Sequence, residues 1–157
     1  MTQPTALRKA TVSDLNELQT LFVQTIKEVC RKDYTPEQIK VWTASVENEK
    51  RWSDMIRDQY VLVAEKENKI IGFATLDQGN YLDFFYVHKD HQGQGIAKKL
   101  YTVIEAEALR QGHSQLTSDI SKTARLFFEK QGFEVMKEQT IVRMDIELNN
   151  FKMKKEL

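Results

Sequence analysis

Ten consecutive residues, His88-Lys89-Asp90-His91-Gln92-Gly93-Gln94-Gly95-Ile96-Ala97, carry the types that bring a main chain up against a ligand. Glycines permit close approach, and the N–H groups that open a helix, at the positive end of its dipole, favour phosphate oxygens. The stretch implies an anionic ligand, although Gly93 and Gly95 would also serve a plain strand-to-helix turn. Its spacing excludes two nucleotide sites. No third glycine completes a dinucleotide fingerprint, and no Gly-Lys-Ser/Thr follows for a nucleoside triphosphate loop. Cys30 is the only cysteine, so neither an internal disulfide nor a Cys-based zinc cluster can be built within one chain, which fits a reducing cytoplasm. His88 could titrate near neutrality, whereas His91 and His113 read as surface residues, and no metal site is expected.

These residues need a scaffold, and the pattern on either side predicts one. Thr11 and Asp14 form a capping box, and Leu15, Leu18, Phe22, Ile26 and Val29 follow at helical spacing. Thr35-Pro36 with Gln38 opens a second helix, with Ile39, Trp42 and Val46 on its apolar face, and a helical turn is expected over Ser53 to Asp58. Tyr60 to Ala64, Ile70 to Leu76 and Tyr81 to Val87 read as three antiparallel strands joined by turn residues. A long helix spans Gly95 to Gln111 and stops at Gly112. Then come a strand from Ser114 to Asp119, a helix from Ser121 to Gln131, and two strands over Phe133 to Leu148 with a bend near Lys137 to Gln139. With a short strand over Ala6 to Ala10, the order predicts an α/β sandwich on a mixed sheet.

Composition bounds the function. At 157 residues the chain fits one domain, 1–157, and 41% hydrophobic residues suffice for a core. Lys plus Arg and Asp plus Glu are 23 each, so no broad field favours nucleic acid or an anionic membrane. No window of ~20 residues is apolar enough for a membrane span, and Met1 to Thr11 lacks the apolar run of a secretion signal. The expectation is a soluble cytoplasmic protein.

The segment Gln92-Gly93-Gln94-Gly95-Ile96-Ala97 resembles the Gln/Arg-x-x-Gly-x-Gly/Ala loop of the GNAT superfamily of acyl-CoA-dependent N-acetyltransferases. Phe85-Tyr86-Val87-His88 resembles the end of that family's fourth strand, and Ala124 to Phe133 its late helix and Gly-Phe strand entry. Phe127 to Phe133 with Asn150-Phe151-x-Met153 is similar to a bacterial subgroup. The resemblance implies a mixed, mostly antiparallel central sheet of about seven strands flanked by about four helices. It implies acetyl-CoA as cosubstrate, no metal, and direct transfer to a primary amine of a small molecule or peptide. Backbone of Phe85, Tyr86 and Val87 would hold the acetyl carbonyl and pantetheine arm, and amides of Gln92, Gly93, Gln94, Gly95, Ile96 and Ala97 the pyrophosphate. Ser121 stands where many relatives place an Asn facing the pantetheine. Phe128 stands where many place a Tyr that protonates the departing thiolate. A homodimer stays open.

A protonated amine must lose a proton before it attacks. Asp83, two residues before Phe85 on a strand, is expected to share its face and to serve as the base, with Tyr34 and His88 next. Pairing of Asp83 with a neighbouring cation, and packing roles for Tyr34, Trp42 and Cys30, stand as alternatives. Phe128 keeps a second class of function alive, a non-catalytic acyl-CoA-binding or regulatory module. A partner-binding scaffold without CoA is a third.

Overall fold

The computed structural model describes residues 4–157. Seven strands form one sheet: β1 (Ala6–Lys9), β2 (Tyr60–Lys66), β3 (Lys69–Asp77), β4 (Tyr81–Val87), β5 (Gln115–Ser121), β6 (Glu134–Arg143) and β7 (Ile146–Glu156), in the order β1-β2-β3-β4-β5-β7-β6. Five helices accompany them: α1 (Leu15–Val29), α2 (Pro36–Thr43), α3 (Glu49–Asp58), α4 (Ile96–Arg110) and α5 (Arg125–Lys130). Every ladder is antiparallel except β4–β5, the pair joined by α4, because only a long crossover returns a chain in parallel. The mixed, mostly antiparallel sheet is the expected one.

Each face of the sheet buries its own core. Leu62, Ala64, Leu76 and Leu82 meet α4 through Leu100 and Ile104, and Phe128 and Phe133 extend that side. Val61, Val63, Phe73 and Phe84 meet α1 and α3 through Leu18, Phe22, Trp52 and Met55. Alternation along β2 thus feeds both layers, as the period of two requires.

Local signals set most boundaries. Thr35 and Gln38 cap α2 reciprocally, with Gln38 N donating to Thr35 Oγ1 at 3.1 Å and Thr35 N to Gln38 Oε1 at 2.9 Å. The helix expected from Thr11 opens as a 3-10 turn over Val12–Asp14. Three expectations need correction. The turn expected at Ser53 is a ten-residue helix that starts at Glu49, since Asn48 caps it by accepting from Arg51 N at 3.1 Å. The helix expected from Ser121 begins at Arg125, because Ser121 Oγ accepts from Ala124 N at 3.1 Å and holds a turn first. The last hairpin bends at Met144 and Asp145, with φ of 51° and 64°, whereas the Lys137 region carries only a bulge within β6. Two successive left-handed residues fit the twist of a tight hairpin, and Asp tolerates that conformation.

Among the described residues no helix is long and apolar enough to cross a membrane, and no group of three or more His, Cys, Asp and Glu could hold a metal ion.

Candidate active site

The site begins as a break in the sheet. β4 and β5 pair only at Tyr81 with Thr117 and Leu82 with Ser118, where Ser118 Oγ donates to the Leu82 carbonyl at 2.6 Å. Beyond that point β4 follows β3 and β5 follows β7, so the two strands part. A bulge drives the departure: between the pairs Ala74–Phe85 and Leu76–Leu82, Thr75 alone opposes both Asp83 and Phe84. Thr75 Oγ1 accepts from Phe84 N at 3.0 Å, which satisfies an amide that the ladder has released. The gap opens into a cleft of about 520 Å³, with Asp83 to Tyr86 on one wall and Ser118 to Ser121 on the other.

At the end of β4 the glycine-containing turn leads into α4. Gln92 Nε2 donates to the Val87 carbonyl at 2.6 Å and pins the turn to the strand. Gly93 and Gly95 have φ of 72° and 79°, a left-handed backbone that favours glycine. A Cβ at either would meet nothing within 4 Å, so the turn presents bare main chain to open space. The first amides of α4 have no carbonyl one turn earlier, and its first turn holds Lys98 and Lys99 but no acid. Positive side chains at a positive helix end are unfavourable unless an anion lies between them. These features fit a pyrophosphate. Ile96 is buried and anchors the helix start, Ala97 packs on the same core, and Gln94 Oε1 lies 3.3 Å from His91 Nδ1.

Of the expected acid–base residues, Asp83 and Tyr34 line the cleft and His88 does not. Asp83 lines the cleft, but the bulge turns it away from the face of Phe85, so the parity argument fails. Its carboxylate accepts two bonds from Arg51, both 2.8 Å, and a third from Gln59 Nε2 at 2.7 Å. Arg51 also lies over the Phe84 ring, 4.6 Å from its centroid. Phe85 packs on the opposite side, tilted against Phe127 and edge-to-face with Phe128. Tyr34 is buried; its hydroxyl donates to the Asn149 carbonyl at 2.7 Å and accepts from Lys122 N at 2.9 Å. Burial above all pushes its pKa up to about 12, against the opposing pull of the Lys122 amide, and its two hydrogen bonds tie β7 to the β5–α5 turn. The His88 Nδ1 accepts from Asp90 N at 3.1 Å within the loop.

The other expected contacts divide. Phe85, Tyr86, Ser121 and Phe128 line the cleft, whereas Val87 lies outside it and spends its carbonyl on Gln92. Burial pushes the Tyr86 phenol well above the ordinary tyrosine value. Phe128 is 1% exposed, enclosed by Phe85, Tyr101, Phe127 and Phe133. Ser121 lines the cleft with its oxygen engaged by Ala124.

Sequence reasoning missed Arg51, Tyr81, Asp119 and Asn150, which line the same cleft. Tyr81 donates to Asp119 Oδ2 at 2.7 Å, and burial first, then Asp119, raises its pKa. Strand parity could have flagged Asp119, since it lies two residues before Ser121 on β5. Arg51 carried no such signal, because it meets Asp83 from 32 positions away.

Comparison with known proteins agrees with this geometry. A family model described as an acetyltransferase (GNAT) domain matches residues 30–157. An uncharacterised N-acetyltransferase of Escherichia coli K12, YafP, is 28% identical over 148 residues, 94% of this chain and 93% of its own length. A crystal structure from Rhodopseudomonas palustris, described as a GCN5-related N-acetyltransferase (aminotransferase, class II), superposes with a TM-score of 0.93 at 29% identity, covering 100% of this chain and 98% of that one. The PaiA N-acetyltransferase of Thermoplasma acidophilum, solved with coenzyme A, has a TM-score of 0.81 at 22% identity over 99% of this chain and 100% of its own, a likeness of fold.

Proposed function

The chain belongs to the GNAT acetyltransferase family, and from that premise we propose that it transfers an acetyl group from acetyl-CoA directly to a primary amine of a small molecule or peptide. The observation that carries this reading is the parting of β4 from β5 beside a helix start whose glycines leave the main chain bare. Acetyl-CoA supplies an acyl carbon activated as a thioester. In this reading the amides of Gln92 to Ala97 hold the pyrophosphate, and the pantetheine arm lies between Phe85–Tyr86 and Ser121. Amine attack builds negative charge on the thioester oxygen, which a fixed main-chain N–H near Phe85 stabilises.

The proton of the acceptor leaves to water in the cleft. Asp83, with three donors already on its carboxylate, holds the wall through Arg51 rather than taking that proton. The Tyr34 hydroxyl and His88 Nδ1 are likewise engaged. Phe128 offers no proton to the leaving thiolate. A thiol with the pKa of free cysteine, about 8.5, departs unprotonated at a cost of only about 2 kcal/mol at pH 7. The lone, buried Cys30 fits a reducing cytoplasm and no covalent acetyl-enzyme.

An acetyl-CoA turnover screen over amine classes, read by free thiol and paired with CoA calorimetry, tests the reading. Turnover with any amine supports the enzyme. Tight CoA binding with no turnover would favour the acyl-CoA-binding module that Phe128 keeps in play, and no CoA binding would overturn both.

A further inference from the structure

Among the described residues, the cleft wall formed by β5, β7 and β6 carries one carboxylate, that of Asp119, and one buried amide oxygen without a hydrogen-bond partner, that of Asn150. Asp119 on β5 lines the cleft and is solvent-exposed; its two carboxylate oxygens accept from Tyr81 Oη and Gln139 Nε2, both neutral groups. Among the described residues no cation lies within 4 Å of that carboxylate. Asn150, opposite Ser121 and Gln139 in the ladders, lines the same cleft, and its Oδ1 is buried with no hydrogen-bond partner. Such an orphan oxygen is costly unless a donor reaches it.

The cations nearby do not neutralise this wall. Arg51 is bound to Asp83, and Arg143 at the hairpin tip lines the same cleft but, among the described residues, forms no ion pair with Asp119. Lys152 opposes Asp119 in the ladder without forming an ion pair with it. Asp83 and Asp119 thus differ in kind: one is paired with a cation, the other only with neutral donors. A ligand group that matches the exposed Asp119 carboxylate is an N–H donor and positively charged.

Resting on the acetyltransferase reading above, we propose that Asp119 binds a second, non-reacting ammonium of the acceptor, so that the substrate class is diamines and other amines with an additional cationic group. The reacting nitrogen is a poor occupant of this place. It must become neutral to attack, and a bare carboxylate beside it would hold its proton on. A cation that stays charged gains from the same carboxylate throughout the reaction, and Tyr81 and Gln139 fix the carboxylate in position to receive it.

The probes are diaminobutane and aminobutanol, which differ only in a distal ammonium or hydroxyl. Thermal shift and calorimetry on the CoA-loaded protein should show diaminobutane bound roughly five- to tenfold more tightly than aminobutanol. The same preference should appear in kcat/KM. Asp119→Asn should abolish the preference while CoA affinity stays unchanged. Equal or absent binding of the two probes to CoA-loaded wild type would overturn the proposal, a comparison that does not depend on the variant folding. A preference that survives Asp119→Asn would overturn it too, as would a variant whose pH–rate profile shifts while its selectivity does not. If wild type fails to bind CoA, the acetyltransferase reading itself falls, which is a separate result.

Discussion

Asp83 and Phe85 lie two residues apart on one strand yet face opposite sides of the sheet. Asp83 reaches Arg51 of α3, while Phe85 packs on Phe127 and Phe128 of α5. The reversal comes from the one-residue bulge opposite Thr75, and the same bulge parts β4 from β5.

Thr75 is fully buried, and its hydroxyl is the partner of the amide that the bulge releases. Thr75→Val keeps the shape and removes that acceptor, leaving Phe84 N unpaired. The expected cost is about 1–3 kcal/mol in urea unfolding, with weaker CoA binding by calorimetry. Unchanged values for both would show that the bulge does not need the hydroxyl.

Asp83→Asn tests whether this carboxylate takes the proton. Arg51 is partly exposed, so losing its counter-charge should cost only about 1 kcal/mol of stability. Turnover should fall by less than the roughly 10²–10⁴ of a lost general base, and the pH–rate profile should keep its shape. A drop of that size, with partial recovery at high pH, would restore Asp83 as the base.

Gly95→Val places a branched side chain at φ 79°, where the left-handed backbone costs about 1–2 kcal/mol. No protein atom lies within 4 Å of the added Cβ, so the fold has room for it and a bound pyrophosphate does not. The variant should fold, judged by circular dichroism, and lose CoA affinity at least tenfold, on the order of 1.4 kcal/mol. Full affinity in the folded variant would move the phosphate site elsewhere.

Glu107 on α4 carries a pH dependence of stability. Its hydrogen bonds from Arg110, 2.8 Å through Nε and 2.5 Å through Nη2, are the main cause that holds its carboxyl down to about 2, against the opposing effect of burial. A carboxyl depressed in the folded state stabilises fully above its unfolded value of about 4.3 and loses that contribution as pH falls toward 2. Urea midpoints of wild type should therefore drop over that window more steeply than those of Glu107→Gln. Parallel curves would assign acid sensitivity to other groups.

What the sequence determined by itself is local or periodic. The stripe from Leu15 to Val29, the capping box at Thr35, the strand from Tyr81 to Val87 and the glycine turn into α4 depend on neighbours within a few residues, so their chemistry is legible in one dimension. Alternation predicts which face a strand residue takes only while the ladder stays in register, and at Asp83 it does not. The hairpin turn at Met144 and Asp145 lacks the glycine that marks such turns, and the pairing of β6 with β7 decided its place. Arg51 on Asp83, Tyr34 between Asn149 and Lys122, and Asp119 left without a counter-ion join residues far apart in the chain. Charge compensation depends on distances in space, so only the folded chain could separate the carboxylate that is already paired from the one that is not.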